Sequence, residues 1–72
     1  MCLSTVFVSP GKTSDATRLI DKVQLIDVAG DQIECTDLYG RSVFVRGAIT
    51  HVDFAHSKVY ISGTPGADIG AS

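Results

Sequence analysis

The sequence lacks the features that mark several classes of protein. It contains only two cysteines, whereas a disulfide-stapled scaffold usually carries four or more. No segment approaches the ~20 apolar residues of a membrane span, and the first stretch has no basic flank of the kind that opens a signal peptide. The six basic residues are scattered and the formal net charge is −2, which argues against a nucleic-acid surface. We therefore expect a cytoplasmic protein without a membrane or nucleic-acid partner.

Catalytic motifs are also missing from the sequence. It shows no Ser/His/Asp arrangement in a recognisable context, no paired carboxylates in an identifiable pocket and no glycine-rich phosphate loop. A chain of 72 residues also has little room for a substrate cleft. The sequence therefore predicts a protein that is not an enzyme.

The composition is that of an ordinary globular domain, with 44% hydrophobic and 19% charged residues. A chain this short buries only about 60% of the surface that its unfolded form exposes, so association with a second copy is a natural support. From Gly63 onward the residues are mostly Gly, Pro, Ala, Thr and Ser, which bury little apolar surface. We expect one domain over residues 1–62 and a flexible tail over residues 63–72.

The first half of the chain predicts strands with one ambiguous segment. Leu3–Val8 is rich in β-branched and aromatic residues and predicts a strand, which the turn formers of Ser9–Asp15 end. In Ala16–Ile26 the apolar residues recur at helical spacing, although the segment from Val23 also has strand character. We expect a loop or a short helical turn, followed by a strand that begins near Val23.

The clearest local pattern is a hairpin around Gly30 and Asp31, a two-residue turn of the glycine-first type. This turn sets two cross-strand pairs that share one apolar face: Val28 with Ile33, and Ile26 with Cys35. We therefore expect Cys35 in the core, since free cysteine is commonly buried. Val23 and Leu25 are expected on the opposite face of the same strand.

The second half predicts further short strands. Tyr39–Arg41 forms a turn, Ser42–Arg46 is a strand that Gly47 ends, and Thr50–Phe54 is the next alternating segment. After a short loop, Val59 and Ile61 return to the face of Val52 and Phe54. Five or six short strands at this spacing indicate an all-β fold, a small half-open antiparallel barrel that we expect to be homodimeric.

Cys2 is the candidate metal ligand, because a thiolate is both a nucleophile and a soft ligand. Its sulfur and a nitrogen of the N-terminal backbone can close a five-membered ring on a metal ion. Two copies of the chain related by a twofold axis would supply two sulfurs and two nitrogens. Such a set suits Ni(II) or Cu(II) better than Zn(II), and Ni(II) in particular if the nitrogen is a deprotonated amide.

Other functions remain open on the residues alone. His51 and His56 are expected at the surface, with His51 hydrogen-bonded to Asp53, and a role in metal delivery is the weaker reading. A small barrel can also be a binding module for RNA or peptide without metal, although Tyr39, Phe44 and Tyr60 are few and scattered. A thiol-based redox role for Cys2 lacks an obvious resolving cysteine.

Several short motifs resemble those of the CooT family of small nickel-binding proteins. These motifs are Met1-Cys2-Leu3, Asp37-Leu38-Tyr39-Gly40, Gly47-Ala48-Ile49 and Val52-Asp53-Phe54. The resemblance covers about residues 1–62 and its specific feature is Cys2. It implies a homodimer that binds Ni(II) through Cys2 of both subunits and acts as an accessory protein, or metal chaperone, for a nickel enzyme such as carbon monoxide dehydrogenase.

Overall fold

The computed structural model describes residues 3–10 and 15–66 of the chain. They form five strands, which close into a barrel in chain order: β1 (Ser4–Ser9), β2 (Thr17–Ala29), β3 (Gln32–Asp37), β4 (Ser42–Asp53) and β5 (Lys58–Pro65). The all-β prediction is confirmed, with five strands. Cys2 and residues 67–72 of the predicted tail lie outside the described residues. Within the described ranges, no helix has the length and hydropathy needed to cross a membrane.

The ring of strands is closed, so the half-open form predicted from the sequence is wrong, and one of the pairings departs from the predicted antiparallel arrangement. Thr5–Ser9 of β1 pairs with Lys58–Ser62 of β5, and this pairing is parallel. The other four pairings in the described ring are antiparallel. Closure removes the exposed strand edges that a half-open sheet would leave for other chains to pair with.

Two long strands make this closure possible, because each of them pairs with two neighbours along different parts of its length. The first half of β2 pairs with β1 and its second half, from Val23, pairs with β3. In the same way β4 pairs with β3 over Ser42–Arg46 and with β5 over Val45–Asp53. A sheet of short strands therefore curls on itself around two strands of 13 and 12 residues.

The expectation of a loop or helical turn before Val23 is wrong, because β2 begins at Thr17. β2 contains extra residues where its register shifts against its neighbours. One residue is added opposite β1, between the partners of Ser4 and Val6, and one opposite β3, after Val23. A bulge of this kind turns the two-residue spacing of inward side chains into a three-residue spacing. Ile20, Val23 and Ile26 consequently mimic a helical pattern. Strict alternation had predicted Val23 on the face opposite Ile26, together with Leu25. The same shifts instead place Val23 in the buried core, against which Ile26 packs.

Gly47 does not end a strand, as the sequence predicted, but lies inside β4 opposite Gly63 of β5. A Cβ atom at Gly47 would lie 2.0 Å from the carbonyl oxygen of Ser62, and one at Gly63 would lie 2.1 Å from that of Arg46. The two backbones approach too closely here for any side chain, which is the role of glycine at a barrel corner. The residues Gly63–Pro65, assigned to the tail from sequence, complete β5.

The interior of the barrel is filled by small and medium apolar side chains. The buried core residues are Val6, Val8, Val23, Ile33, Cys35, Val45, Val59 and Ile61. The hairpin prediction is confirmed, since Val28 pairs with Ile33 and Ile26 pairs with Cys35. Val28 is nevertheless 58% exposed, because it lies beside the turn at the end of the hairpin.

Candidate functional site

An open apolar groove of about 270 Å³ runs along one end of the barrel. Its lining comes from β1, β2, β4, β5 and the β4–β5 turn, and consists of Ser4, Val23, Gln24, Leu25, Ile26, Ile49, Val52, Asp53, Phe54, Lys58 and Val59. We call this surface the Phe54 groove. Four of its members are large hydrophobic residues that are exposed to solvent: Leu25, Ile49, Val52 and Phe54.

The exposure of these side chains follows from the local backbone. Register shifts occur beside Leu25 in β2 and between Ile49 and His51 in β4, so the alternation of inward and outward side chains is broken at both places. Phe54 begins the turn after β4 and is 89% exposed, so most of its side chain faces solvent. Clustered exposed apolar side chains of this kind mark interaction surfaces.

The predicted metal ligand, Cys2, lies outside the described residues. Ser4, two residues further along the chain, lines the Phe54 groove. Among the described residues no group of three or more His, Cys, Asp and Glu side chains is placed to hold a metal ion.

Cys35 lies in the core with no exposed surface, which confirms the prediction from the hairpin. Burial, and secondarily the negative charge of Glu34, raises the pKa of the Cys35 thiol to about 11. At neutral pH the sulfur is therefore protonated and shielded from solvent. A protonated, enclosed thiol is unsuited to bind a metal ion or to act as a nucleophile.

The two histidines lie at the surface in different environments. His51 is on the outer face of β4, where its ring is tilted against that of Tyr60 at a centroid distance of 5.6 Å. The predicted bond between His51 and Asp53 is wrong, because both oxygens of Asp53 contact His56 instead. The His56 N–H donates to Oδ1 at 3.1 Å and Nδ1 lies 2.9 Å from Oδ2. These contacts hold the β4–β5 turn, and the side-chain hydrogen bond is the main reason that the pKa of Asp53 is lowered.

One outer row of side chains was missed by the sequence reasoning. The strand registers align Arg18, Phe7, Tyr60 and His51 across β2, β1, β5 and β4. Phe7 stacks on Tyr60 with ring centroids 5.2 Å apart, and the Lys58 ammonium lies 5.8 Å from the centroid of the Phe7 ring. The sequence could have indicated this row only through the outward positions of Phe7 and Tyr60 in their strands. The parallel β1–β5 pairing is what makes the two residues neighbours.

A second missed feature is the turn between β3 and β4, which is built around the buried carboxylate of Asp37. Its Oδ1 accepts hydrogen bonds from the backbone N–H groups of Tyr39 and Arg41, each at 2.9 Å, and its Oδ2 accepts one from Arg41 Nε at 2.9 Å. Burial by itself would raise the pKa of Asp37, but these hydrogen bonds and the Arg41 charge together lower it below the usual value. The carboxylate is therefore ionised at neutral pH and holds the turn in one conformation.

These observations define the class of the protein. The barrel interior is filled by apolar side chains and the Cys35 thiol, whereas the Phe54 groove, the two histidines and the Phe7–Tyr60 row lie at its surface. The fold and the site thus define a small all-β barrel that presents an exposed apolar groove at one end.

A family model described as the CO dehydrogenase accessory protein CooT matches residues 1–62, and the chain belongs to this family. The family resemblance inferred from the sequence is thus confirmed. The family description is that of an accessory protein, which agrees with the prediction of a protein that is not itself an enzyme. Comparisons with curated proteins and with solved structures returned no match.

Proposed function

We propose that the protein is a homodimeric Ni(II)-binding accessory protein, or metal chaperone, that acts in the cytoplasm. The Cys2 thiolates of the two subunits, each with a nitrogen of the N-terminal backbone, hold one nickel ion between them as cargo. The client is a nickel enzyme, and the family description makes carbon monoxide dehydrogenase the first candidate. The observation that carries the proposal is the Phe54 groove, an apolar surface at the start of the strand that follows Cys2.

The groove supports a contact between two copies of the chain. Leu25, Val52 and Phe54 are exposed apolar side chains around a concave surface, so that a symmetric partner could cover both the groove and the protruding ring. A self-complementary surface is what a twofold interface requires, because the same patch faces itself across the axis. Burial of this patch would also supplement the small core of a 72-residue chain.

The same contact would bring the two chain starts together. Ser4 lines the groove, and two residues of chain limit the separation of the Cys2 and Ser4 Cα atoms to about 7 Å. A twofold axis beside the groove would therefore allow both Cys2 residues to reach one metal ion. The remaining thiol, Cys35, is protonated and buried, which supports Cys2 as the sulfur donor.

A nickel titration tests the proposal directly. We expect one Ni(II) per dimer, with the absorption of a planar nickel–thiolate complex, and loss of both in Cys2→Ser. Cys35→Ala is the matched control, since it removes the other thiol and should leave the stoichiometry unchanged. The double variant His51→Ala/His56→Ala should likewise retain nickel affinity. Full nickel binding by Cys2→Ser, or its loss in the histidine variant, would contradict the proposed ligand set.

The row formed by Phe7 and Tyr60 favours a second candidate function, the binding of RNA or peptide without metal. Stacked aromatic rings beside Lys58 and Arg18 resemble the platforms on which bases stack in single-strand binding proteins. The net charge of −2 opposes this function. A gel shift with single-stranded RNA at modest salt separates the two candidates, because only the second predicts a complex that Tyr60→Ala abolishes.

A further inference from the structure

The turn between β3 and β4 presents an aromatic side chain in a fixed position. Tyr39 is 65% exposed, and its neighbour Leu38 is also exposed. The buried Asp37 carboxylate anchors the turn through three hydrogen bonds, and the backbone adds two more, between Asp37 and Arg41 and between Gly40 and Asp37. A side chain that is exposed on a rigid support loses little conformational freedom when a partner covers it.

Two cations flank the Tyr39 ring. The Lys22 ammonium lies 5.8 Å from the ring centroid, and the Arg41 guanidinium carbon lies 5.6 Å from it. Lys22 has a φ of +55°, a conformation that a residue with a side chain rarely adopts, and its carbonyl accepts a hydrogen bond from the Leu38 N–H at 2.8 Å. Strained residues of this kind cluster at functional sites. We call the surface formed by Lys22, Leu38, Tyr39 and Arg41 the Tyr39 surface.

The Tyr39 surface is locally basic in an acidic chain. Arg41 also lines a hollow of about 310 Å³ that contains Arg18. The surface and the hollow together carry three of the six basic residues but only two of the eight acidic residues. Of the two acidic residues, Asp37 is buried under Arg41 and Asp21 lies 3.6 Å from Arg18. Because Arg18 and Arg41 are paired with these two carboxylates, the surface and the hollow together carry a formal charge of +1, which corresponds to Lys22 beside the Tyr39 ring.

The position of this surface relates it to the chain start. Val23 of β2 pairs with Ser4 at the beginning of β1, so Lys22 lies beside the strand that leads back to Cys2. The Phe54 groove includes Val23 and Ser4 as well, but not Lys22, Tyr39 or Arg41. A partner seated on the Tyr39 surface would thus be adjacent to the N-terminal end of β1, while the Phe54 groove stays available to a second copy.

We propose that the Tyr39 surface is the docking site for the acidic client that receives the metal. This inference rests on the proposed function. A local positive charge on a chain of net charge −2 favours an acidic partner, because complementary charges steer association. Tyr and Arg are also the residues that most often carry the binding energy at protein interfaces.

The test measures binding of the nickel-loaded dimer to immobilised nickel-free carbon monoxide dehydrogenase. We expect Tyr39→Ala and Lys22→Gln each to weaken binding by about tenfold or more. Arg46→Gln is the matched control, because Arg46 is an exposed cation paired with Asp31 in a different part of the barrel, and it should change binding less than about twofold. Added salt should weaken the wild type more than Lys22→Gln.

The remaining outcomes overturn the inference in distinguishable ways. Equal binding by Tyr39→Ala and the wild type, or an equal loss in Arg46→Gln, excludes the Tyr39 surface as the docking site. Dissociation of the dimer by Tyr39→Ala would assign the surface to a second copy, and RNA binding that is lost in Lys22→Gln would assign it to nucleic acid. Absence of any complex with the enzyme overturns the docking proposal alone. The nickel titration of the Cys2 variants, and retained nickel binding by Tyr39→Ala, test the proposed function separately.

Discussion

The most informative perturbation of the proposed dimer is Phe54→Ser. The Phe54 side chain is 89% exposed in the single chain, so its removal takes away almost no contact within the barrel. Surface substitutions without such contacts change the free energy of unfolding by about 0.5 kcal/mol or less. We therefore expect the isolated subunit to fold normally, which makes this variant a clean probe of association.

The expected effect on the dimer follows from the symmetry of the interface. Burial of one phenylalanine side chain contributes about 1.5–3 kcal/mol, and a twofold interface contains the residue twice. The loss of two rings thus weakens association by about 3–6 kcal/mol, which corresponds to about a hundredfold to ten-thousandfold increase in the dissociation constant.

Sedimentation equilibrium over a range of protein concentrations measures this dissociation constant directly. Tyr39→Ser is the matched control, since Tyr39 is also an exposed aromatic residue but lies outside the Phe54 groove. It should leave the dimer intact and lower only the affinity for the client. An unchanged dissociation constant in Phe54→Ser would refute the assignment of the groove to the dimer interface, as would a wild-type protein that stays monomeric at high concentration.

Two further predictions concern the barrel itself. Asp37→Asn should destabilise the fold at neutral pH, because Arg41 and two backbone N–H groups favour the ionised carboxylate against the opposing effect of burial. Since the pKa of Asp37 is lowered in the folded state, this stabilisation is present above the unfolded pKa of about 3.9 and is lost as the pH falls through the folded pKa. Urea denaturation should therefore show a difference between the two proteins at pH 7 that shrinks below about pH 4, and a difference independent of pH would contradict the assignment. Gly63→Ala would place a Cβ atom 2.1 Å from the Arg46 carbonyl oxygen. We therefore expect the free energy of unfolding to fall by about 1–3 kcal/mol or more, and Tm to fall by at least about 5 °C in a thermal melt. An unchanged Tm would rule out the close backbone approach.

Local sequence patterns were sufficient for the central hairpin and for part of the core. The Gly30–Asp31 turn and the alternation on both sides of it predicted the register that pairs Ile26 with Cys35, and the structure has this register. The burial of Cys35 follows from the same pattern. These predictions succeeded because a two-residue turn fixes which neighbouring side chains share a face, without any information from distant parts of the chain.

Predictions from local sequence patterns failed in the two long strands, β2 and β4. In β2 the extra residues space Ile20, Val23 and Ile26 three apart, which is typical of a helix when only the sequence is read. In β4, Gly47 was predicted to end a strand. It lies within the strand instead, where the absence of a side chain allows the backbone to approach Gly63 closely. Each error arose because the partner strand, which decides whether an extra residue or a glycine is tolerated, is distant in sequence.

The sequence by itself thus determined the all-β class, the hairpin, the membership of Cys35 in the core and the family resemblance centred on Cys2. The tertiary structure alone decided that the barrel closes through a parallel β1–β5 pairing, that the Phe54 groove lies at the start of β1, and that Lys22 and Arg41 meet at Tyr39. The physical reason is that turns and alternation act between residues close in the chain. Grooves and charged surfaces, in contrast, are formed by residues that only the pairing of distant strands brings together.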